Sequence, residues 1–331
     1  MARLNTMTAS SPAAETAAAQ SQDDTQAAHI VVITTGGTIA CTADEQGHLV
    51  PTVSGEELIA PVAARCPQVQ FTIRDIHRLD SSSMTFADVD GIVAAVHEAL
   101  ADETVTGVIV THGTDSMEET ACALDVFHAD PRPVVVTGAQ HPHNHPDSDG
   151  LFNLLDAVNI VAAPTAQGIG VLIVFGRAVL PARGAVKWHT TDELAFATNG
   201  PEEPVRPDPL PVKPLADIRV EVIAAYPGCD GTLVDAAIAA GAQGLVVCGL
   251  GSGNVAQALG NRLAEVLKDG IPVVLTTRVP RGEVTALYGG GGGGATLHQL
   301  GAIGSSYLRA GQARVLLAAA IATGVHPQTL F

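Results

Sequence analysis

At 331 residues, 47% apolar and 15% charged, the chain has a globular composition and enough length for two hydrophobic cores. Its 34 acidic residues against 17 basic ones leave a formal charge of −17, which repels nucleic acid and anionic membranes and argues against polyanions as partners. Aromatics make up only 3%, so the cores must be built from Val, Ile, Leu and Ala.

Residues 1–28 are rich in Ala, Ser, Thr and Gln and carry no apolar run of signal-peptide length, so a disordered tail is expected there. No stretch of about 18 apolar residues occurs anywhere, and no membrane span is expected. Cys41, Cys66, Cys122, Cys229 and Cys248 are odd in number, scattered, and never spaced as C-x-x-C. Buried free thiols in a cytoplasmic protein are expected, rather than a disulfide framework or zinc ribbon.

Ordered structure is expected from His29. The run Ile30-Val31-Val32-Ile33-Thr34 is a β-branched block closed by Gly36-Gly37, and similar blocks follow at 107–111, 133–137 and 170–175. None alternates apolar with polar, which points to strands covered on both faces, as in a parallel sheet flanked by helices. Ala87 to Ala101 has apolar residues near a 3.6-residue period, and Leu151 to Ala162 is another helical candidate. Ser116 to Phe127 opens with Ser116-Met117-Glu118-Glu119, which predicts a capping box. Strand and helix in alternation predict a doubly wound α/β domain over 29–200. Six prolines between Pro201 and Pro214 predict an extended, semi-rigid linker over 201–217. Beyond it the rhythm resumes, with strands at 220–225, 244–249 and 272–277 and helices at 257–267 and 312–322, for a smaller α/β domain over 218–331. Gly289–Gly294 reads as a flexible loop, and no Lys-Ser or Lys-Thr follows it to make a phosphate-binding loop.

Ligands of open α/β sheets sit at the carboxyl ends of the strands, so the residues leaving each strand matter most. The first strand runs into Thr35-Gly36-Gly37-Thr38-Ile39-Ala40, where the glycines let backbone approach a ligand and Thr38 presents a hydroxyl. Thr42 to His48 follows as a flexible stretch able to form a lid. The strand ending at Thr111 runs into His112-Gly113-Thr114-Asp115-Ser116-Met117-Glu118-Glu119-Thr120, a Thr-Asp pair at a helix start. Alone, the first motif is more readily a plain strand–loop turn, and Asp115 is equally a helix cap.

Together the two segments resemble the signatures of the bacterial-type L-asparaginases, and the resemblance runs from about His29 to Phe331. It implies a two-domain α/β fold and hydrolysis of L-asparagine, a small amino-acid amide, by a threonine nucleophile through an acyl-enzyme. It implies no cofactor and no metal. Carried over position by position, Thr38 matches the nucleophile, Thr114 the second active-site threonine, and Asp115 and Lys187 complete the group. Gly37, Gly113 and Ser82 fall within the substrate-binding stretches. Ser81 matches the serine that holds the substrate α-carboxylate, and Ala139 a backbone group near the side-chain amide. Asn254 matches a residue reaching an active site from the second domain. The resemblance further implies a homotetramer built from tight dimers. Two departures stand out: Leu49-Val50-Pro51-Thr52-Val53 lacks the tyrosine that some members place in the lid, and Tyr288 to Gly290 lacks an acidic residue that some supply from a neighbouring subunit.

Rival readings remain. The alternative within the class is a glutaminase-asparaginase, since one methylene separates the substrates. His141-Pro142-His143-Asn144-His145-Pro146-Asp147-Ser148-Asp149 suggests a metal-binding loop, although alternating His in a Pro-broken loop rarely converges on one ion. A small-molecule binder on the same fold would not need Thr38, Thr114, Asp115 and Lys187 together.

Overall fold

The computed structural model describes residues 27–331, so residues 1–26 of the expected tail lie outside the described residues. The chain opens with β1 (His29–Gly36), a small antiparallel hairpin of β2 (Cys41–Ala43) and β3 (Leu49–Pro51), α1 (Gly55–Ala63) and β4 (Gln70–Leu79). It continues through α2 (Phe86–Leu100), β5 (Gly107–Thr111), α3 (Met117–Phe127), β6 (Val134–Thr137), α4 (Gly150–Ala162), β7 (Val171–Phe175) and β8 (Ala178–Pro181). A second hairpin pairs β9 (Ala185–Lys187) with β10 (Phe196–Thr198). The C-terminal part holds β11 (Val220–Ala224), α5 (Thr232–Ala239), β12 (Gly244–Gly249), α6 (Gln257–Lys268), β13 (Val273–Thr277), α7 (Gly294–Gln299), β14 (Ile303–Gly304) and α8 (Ala310–Thr323).

Two sheets organise these elements. The first runs β4-β1-β5-β6-β7-β8, parallel except for β8, and the second runs β11-β12-β13-β14, all parallel. The apolar blocks are continuous because each strand is covered twice. In β1, Val31 and Ile33 face the layer of α2 and α3, while Ile30 and Val32 face that of α1 and α4. A polar residue on either face would lose hydration without gaining a partner, so β-branched residues fill both. β4 is the exception. It is an edge strand of ten residues carrying Arg74, Asp75, His77 and Arg78, with no fully buried position. No apolar block betrays it in the sequence, because an edge strand need not bury both faces.

The two domains share a core. α8 packs against α3 on one side and against the second sheet on the other, and Leu316, Leu317 and Val315 join one buried cluster with Phe127 and Val246. The proline-rich stretch forms no helix or strand, yet it is a docked strap rather than a spacer. Leu215 is fully buried and its N–H donates to Asp90, Leu210 donates to the Val126 carbonyl, and Arg206 pairs with Asp125 at 2.9 Å. The glycine run is likewise packed: a Cβ at Gly293 would lie 2.2 Å from the carbonyl oxygens of Tyr288 and Gly289, so only glycine lets this turn close on itself.

Candidate active site

The first sheet reverses its direction of growth at β1, which has β4 on one side and β5 on the other. That reversal opens a crevice at the carboxyl ends of β1 and β5, the position where such sheets bind ligands. The backbones leaving the two strands nearly touch there. A Cβ at Gly37 would lie 2.3 Å from the Gly113 nitrogen, and Gly37 itself has a φ of +77°. Both facts require glycine, and they set Thr38 and Thr114, each one residue further on, on neighbouring strand ends. From Ile30 to Cys41, Thr38 alone is not fully buried. It starts a single 3-10 turn whose other residues, Ile39 and Ala40, are buried.

Lys187, at the end of β9, completes a compact polar group. Its Nζ donates to Thr114 Oγ1 and to Asp115 Oδ1, both at 2.8 Å. Ser81 buttresses the same corner from the end of β4: its Oγ accepts from the Asp115 N–H at 3.0 Å, and a Cβ at Gly113 would collide with it. Ser82, next in the chain, is exposed. Ala139 is buried behind β6, close to Gly150. Thus Gly37, Gly113, Ser81, Thr114, Asp115 and Lys187 meet in one corner. Asn254 does not join them through its own bonds. It sits in the C-terminal domain, bridged to Leu250, with Oδ1 accepting from the Gly294 N–H at 3.1 Å.

Several local expectations change. No capping box opens α3: Ser116 makes no side-chain cap bond and donates instead to the Ser81 carbonyl at 2.6 Å. Glu118, read as part of that box, accepts the backbone N–H of Lys187. Burial, then repulsion from Glu119, pushes its carboxyl up to about 7. Gln140, which no motif singles out, also faces this corner. Its Oε1 faces Thr114 Oγ1 at 3.4 Å while its Nε2 donates to the carbonyl of Asp192 at 3.0 Å. His112 is fully buried, its Nδ1 lies 2.6 Å from the Gly113 carbonyl, and burial holds its pKa down at about 4, so it is neutral.

The stretch Thr42 to His48 is not structureless but belongs to the β2–β3 hairpin. It is tied to the histidine loop by the His143 N–H on the Cys41 carbonyl and the Ala43 N–H on Asn144 Oδ1. In that loop His141 and His145 stack at 4.6 Å, and Asp149 is occupied by the N–H groups of Gln140 and His141. Among the described residues, no group of three His, Cys, Asp or Glu side chains is placed to hold a metal ion. All five cysteines are unpaired, and no described helix is long and apolar enough to cross a membrane.

The residues leaving β1 and β5 thus meet at one crevice, where Lys187 joins Thr114 and Asp115. Comparison with known proteins gives the family. The family "Asparaginase, N-terminal" matches residues 29–206 and "Glutaminase/Asparaginase C-terminal domain" matches residues 219–330. A probable L-asparaginase of Deinococcus radiodurans is 35% identical over 305 residues, covering 87% of this chain and 91% of that protein. An L-asparaginase of Bacillus licheniformis is 30% identical over 89% of this chain and 95% of its own length. A crystal structure of a probable cytoplasmic L-asparaginase from Campylobacter jejuni superposes with a TM-score of 0.82 at 27% identity, covering 92% of this chain and 98% of that one. The chain belongs to the asparaginase/glutaminase family of amidohydrolases.

Proposed function

We propose that the protein hydrolyses L-asparagine to L-aspartate and ammonia, with Thr38 as nucleophile. The observation that carries this reading is Lys187 Nζ, 2.8 Å from both Thr114 and Asp115, at the crevice that Thr38 enters. A threonine hydroxyl is a weak nucleophile and needs a path for its proton. Thr114 and Lys187 supply that path: Thr114 passes the Thr38 proton to Lys187 acting as the neutral amine, Asp115 orients the lysine Nζ, and the proton is then given to the leaving nitrogen. Thr38 Oγ1 adds to the side-chain amide carbon, and backbone N–H groups at the two glycine turns stabilise the oxyanion. The C–N bond breaks, the amide nitrogen leaves with a proton as ammonia, and water then hydrolyses the Thr38 ester to release aspartate.

Ser81, Ser82 and the Gly37 and Gly113 backbones are assigned to the substrate α-carboxylate and its surroundings, Asp115 to the α-ammonium, and Ala139 to the amide side. Asn254 is assigned to an active site reached from the second domain, on a neighbouring subunit, and the assembly is assigned as a homotetramer in the cytoplasm. A mixed glutaminase-asparaginase is the second reading, favoured by the family description of the C-terminal domain. Ammonia release from L-asparagine and from L-glutamine, each measured across concentrations, tests both. Strong release from asparagine alone supports the main reading, equal rates support the second, and no release from either overturns both.

A further inference from the structure

The Thr114–Lys187–Asp115 group is assembled from two separate pieces of chain. Thr114 and Asp115 lie just before α3, and Lys187 lies at the end of the three-residue strand β9. β9 is a weak platform. It pairs only with the equally short β10, and the Lys187 N–H is not spent on a strand partner. It points instead at Glu118, in the first turn of α3, whose Oε2 accepts it at 2.5 Å. One residue pair therefore spans the group twice: the Lys187 side chain reaches Thr114 and Asp115, and its backbone reaches Glu118 on the helix that begins beside them. The preceding turn is held from the other domain. Gln312 of α8 donates to the carbonyls of Ala182 and Ala185 and accepts from the Gly184 N–H at 2.8 Å. The clamp is complete except at Lys187 itself, and Glu118 closes it.

From this geometry we infer that Glu118 is a positioning residue, which fixes the Lys187 backbone and so sets the reach of its Nζ toward Thr114. The inference rests on the assignment of Lys187 to the proton path. Because an ionised carboxylate accepts an N–H more strongly than a neutral carboxyl does, the clamp tightens when Glu118 loses its proton. Its carboxyl is pushed up to about 7 by burial and by Glu119, so the change falls within the working pH range. The charged groups around it are Glu119 on the same helix, Lys187 on β9, Arg309 and Arg314 at α8, and Arg278 beyond β13, with the Cys248 thiol of β12 lining the same cavity of about 530 Å³. Lys187 offsets the rise in part by its charge, but no cation forms an ion pair with Glu118, so desolvation prevails.

The test compares Glu118→Ala and Glu118→Gln with the unaltered protein, following ammonia release from L-asparagine between pH 5.5 and 8.5. Glu118→Ala is expected to lower kcat about 10- to 100-fold with a smaller change in KM for asparagine, since Glu118 bonds the Lys187 backbone and none of the side chains assigned to hold the substrate. Glu118→Gln keeps an acceptor for the Lys187 N–H and is expected to recover most of that loss. It is also expected to lack the limb of kcat that rises near pH 7 in the unaltered protein. Amide hydrogen exchange gives a readout independent of turnover: the Lys187 N–H should exchange faster in Glu118→Ala and not in Glu118→Gln. Equal kcat and equal Lys187 exchange in folded Glu118→Ala overturn the inference, as does an unchanged pH limb in Glu118→Gln. If the alanine variant does not fold, the pH profile of the glutamine variant decides alone. Failure of the unaltered protein to release ammonia would instead overturn the proposed function, while the exchange result would still judge the clamp.

Discussion

The carboxyl edges of the two sheets are built alike and used differently. In the first, the loops after β1 and β5 bring Thr38, Thr114 and Asp115 to one crevice, and Lys187 is bonded to two of them. In the second, the loop after β12 carries Asn254 and β13 ends in Thr277, but those side chains are spent on neighbouring loop backbone. Thr277 Oγ1 donates to the Gly251 carbonyl at 2.6 Å, and Asn254 Oδ1 accepts from Gly294. Parallel topology offers a ligand crevice at both places, and the side chains decide which edge has free chemistry.

The sharpest way to break this contrast is to remove the first edge's hydroxyl. Thr38→Ala should lower kcat by at least about 1,000-fold, because without the nucleophile only binding and oxyanion stabilisation remain. Near-normal ammonia release would show that Thr38 is only a turn residue. Lys187→Met keeps much of the side-chain volume while removing the ammonium from Thr114 and Asp115. A fall of about 100- to 10,000-fold in kcat is expected, the range for losing a positioned proton-transfer group. A change confined to KM would make Lys187 a binding group instead.

The second edge has a different test. If Asn254 serves a neighbouring subunit, Asn254→Ala should weaken substrate binding by about 10- to 100-fold in KM, the loss of a hydrogen bond to a charged group. Tetramers mixed from Thr38→Ala and Asn254→Ala subunits should then recover activity, since some sites would carry both intact residues. Mixed assemblies no better than the parents would confine Asn254 to its bond with Gly294.

The contrast also explains what could be read from sequence. The buried strands were legible because two covered faces force β-branched runs, and the helices at 86–100 and 150–162 because one buried stripe forces a 3.6-residue period. β4 was not, since its Arg74, Asp75 and Arg78 suit an edge. The T-G-G-T and H-G-T-D segments were legible as strand ends bearing hydroxyl and carboxylate groups. Glu118 was not: Ser116 and Glu119 have the spacing of a capping box, and only the fold brings Lys187 from 69 positions away onto the neighbouring carboxylate. The strap at 201–217 forms no helix or strand, and its anchors Asp90, Asp125 and Val126 are too distant in sequence to show from the proline pattern.

Stability should separate the two edges further. The Glu118 carboxyl is raised from 4.5 to about 7 on folding, so the folded state favours its proton. That contribution is fully present below about pH 4.5 and is lost as the pH rises through about 7. Glu118→Gln should therefore gain about 1–3 kcal/mol relative to the unaltered protein between pH 5 and pH 8 in denaturant melts. A pH-independent difference would mean that the carboxyl is not perturbed by the fold.

The smallest effect is expected at the second edge. Thr277→Val preserves shape and removes the hydroxyl that holds the Gly251 carbonyl and accepts the Val279 N–H. Two partly buried backbone groups lose a partner, which should cost about 0.5–2 kcal/mol of unfolding free energy. Because Thr277 ends β13 with its hydroxyl consumed by local backbone, kcat at a temperature well below the melting transition should change by less than about 3-fold, against 1,000-fold for the threonine that follows β1. A large loss of turnover with little loss of stability would show that the second edge takes part in the chemistry through its backbone, and that the division between a reactive edge and a self-satisfied one is drawn in the wrong place.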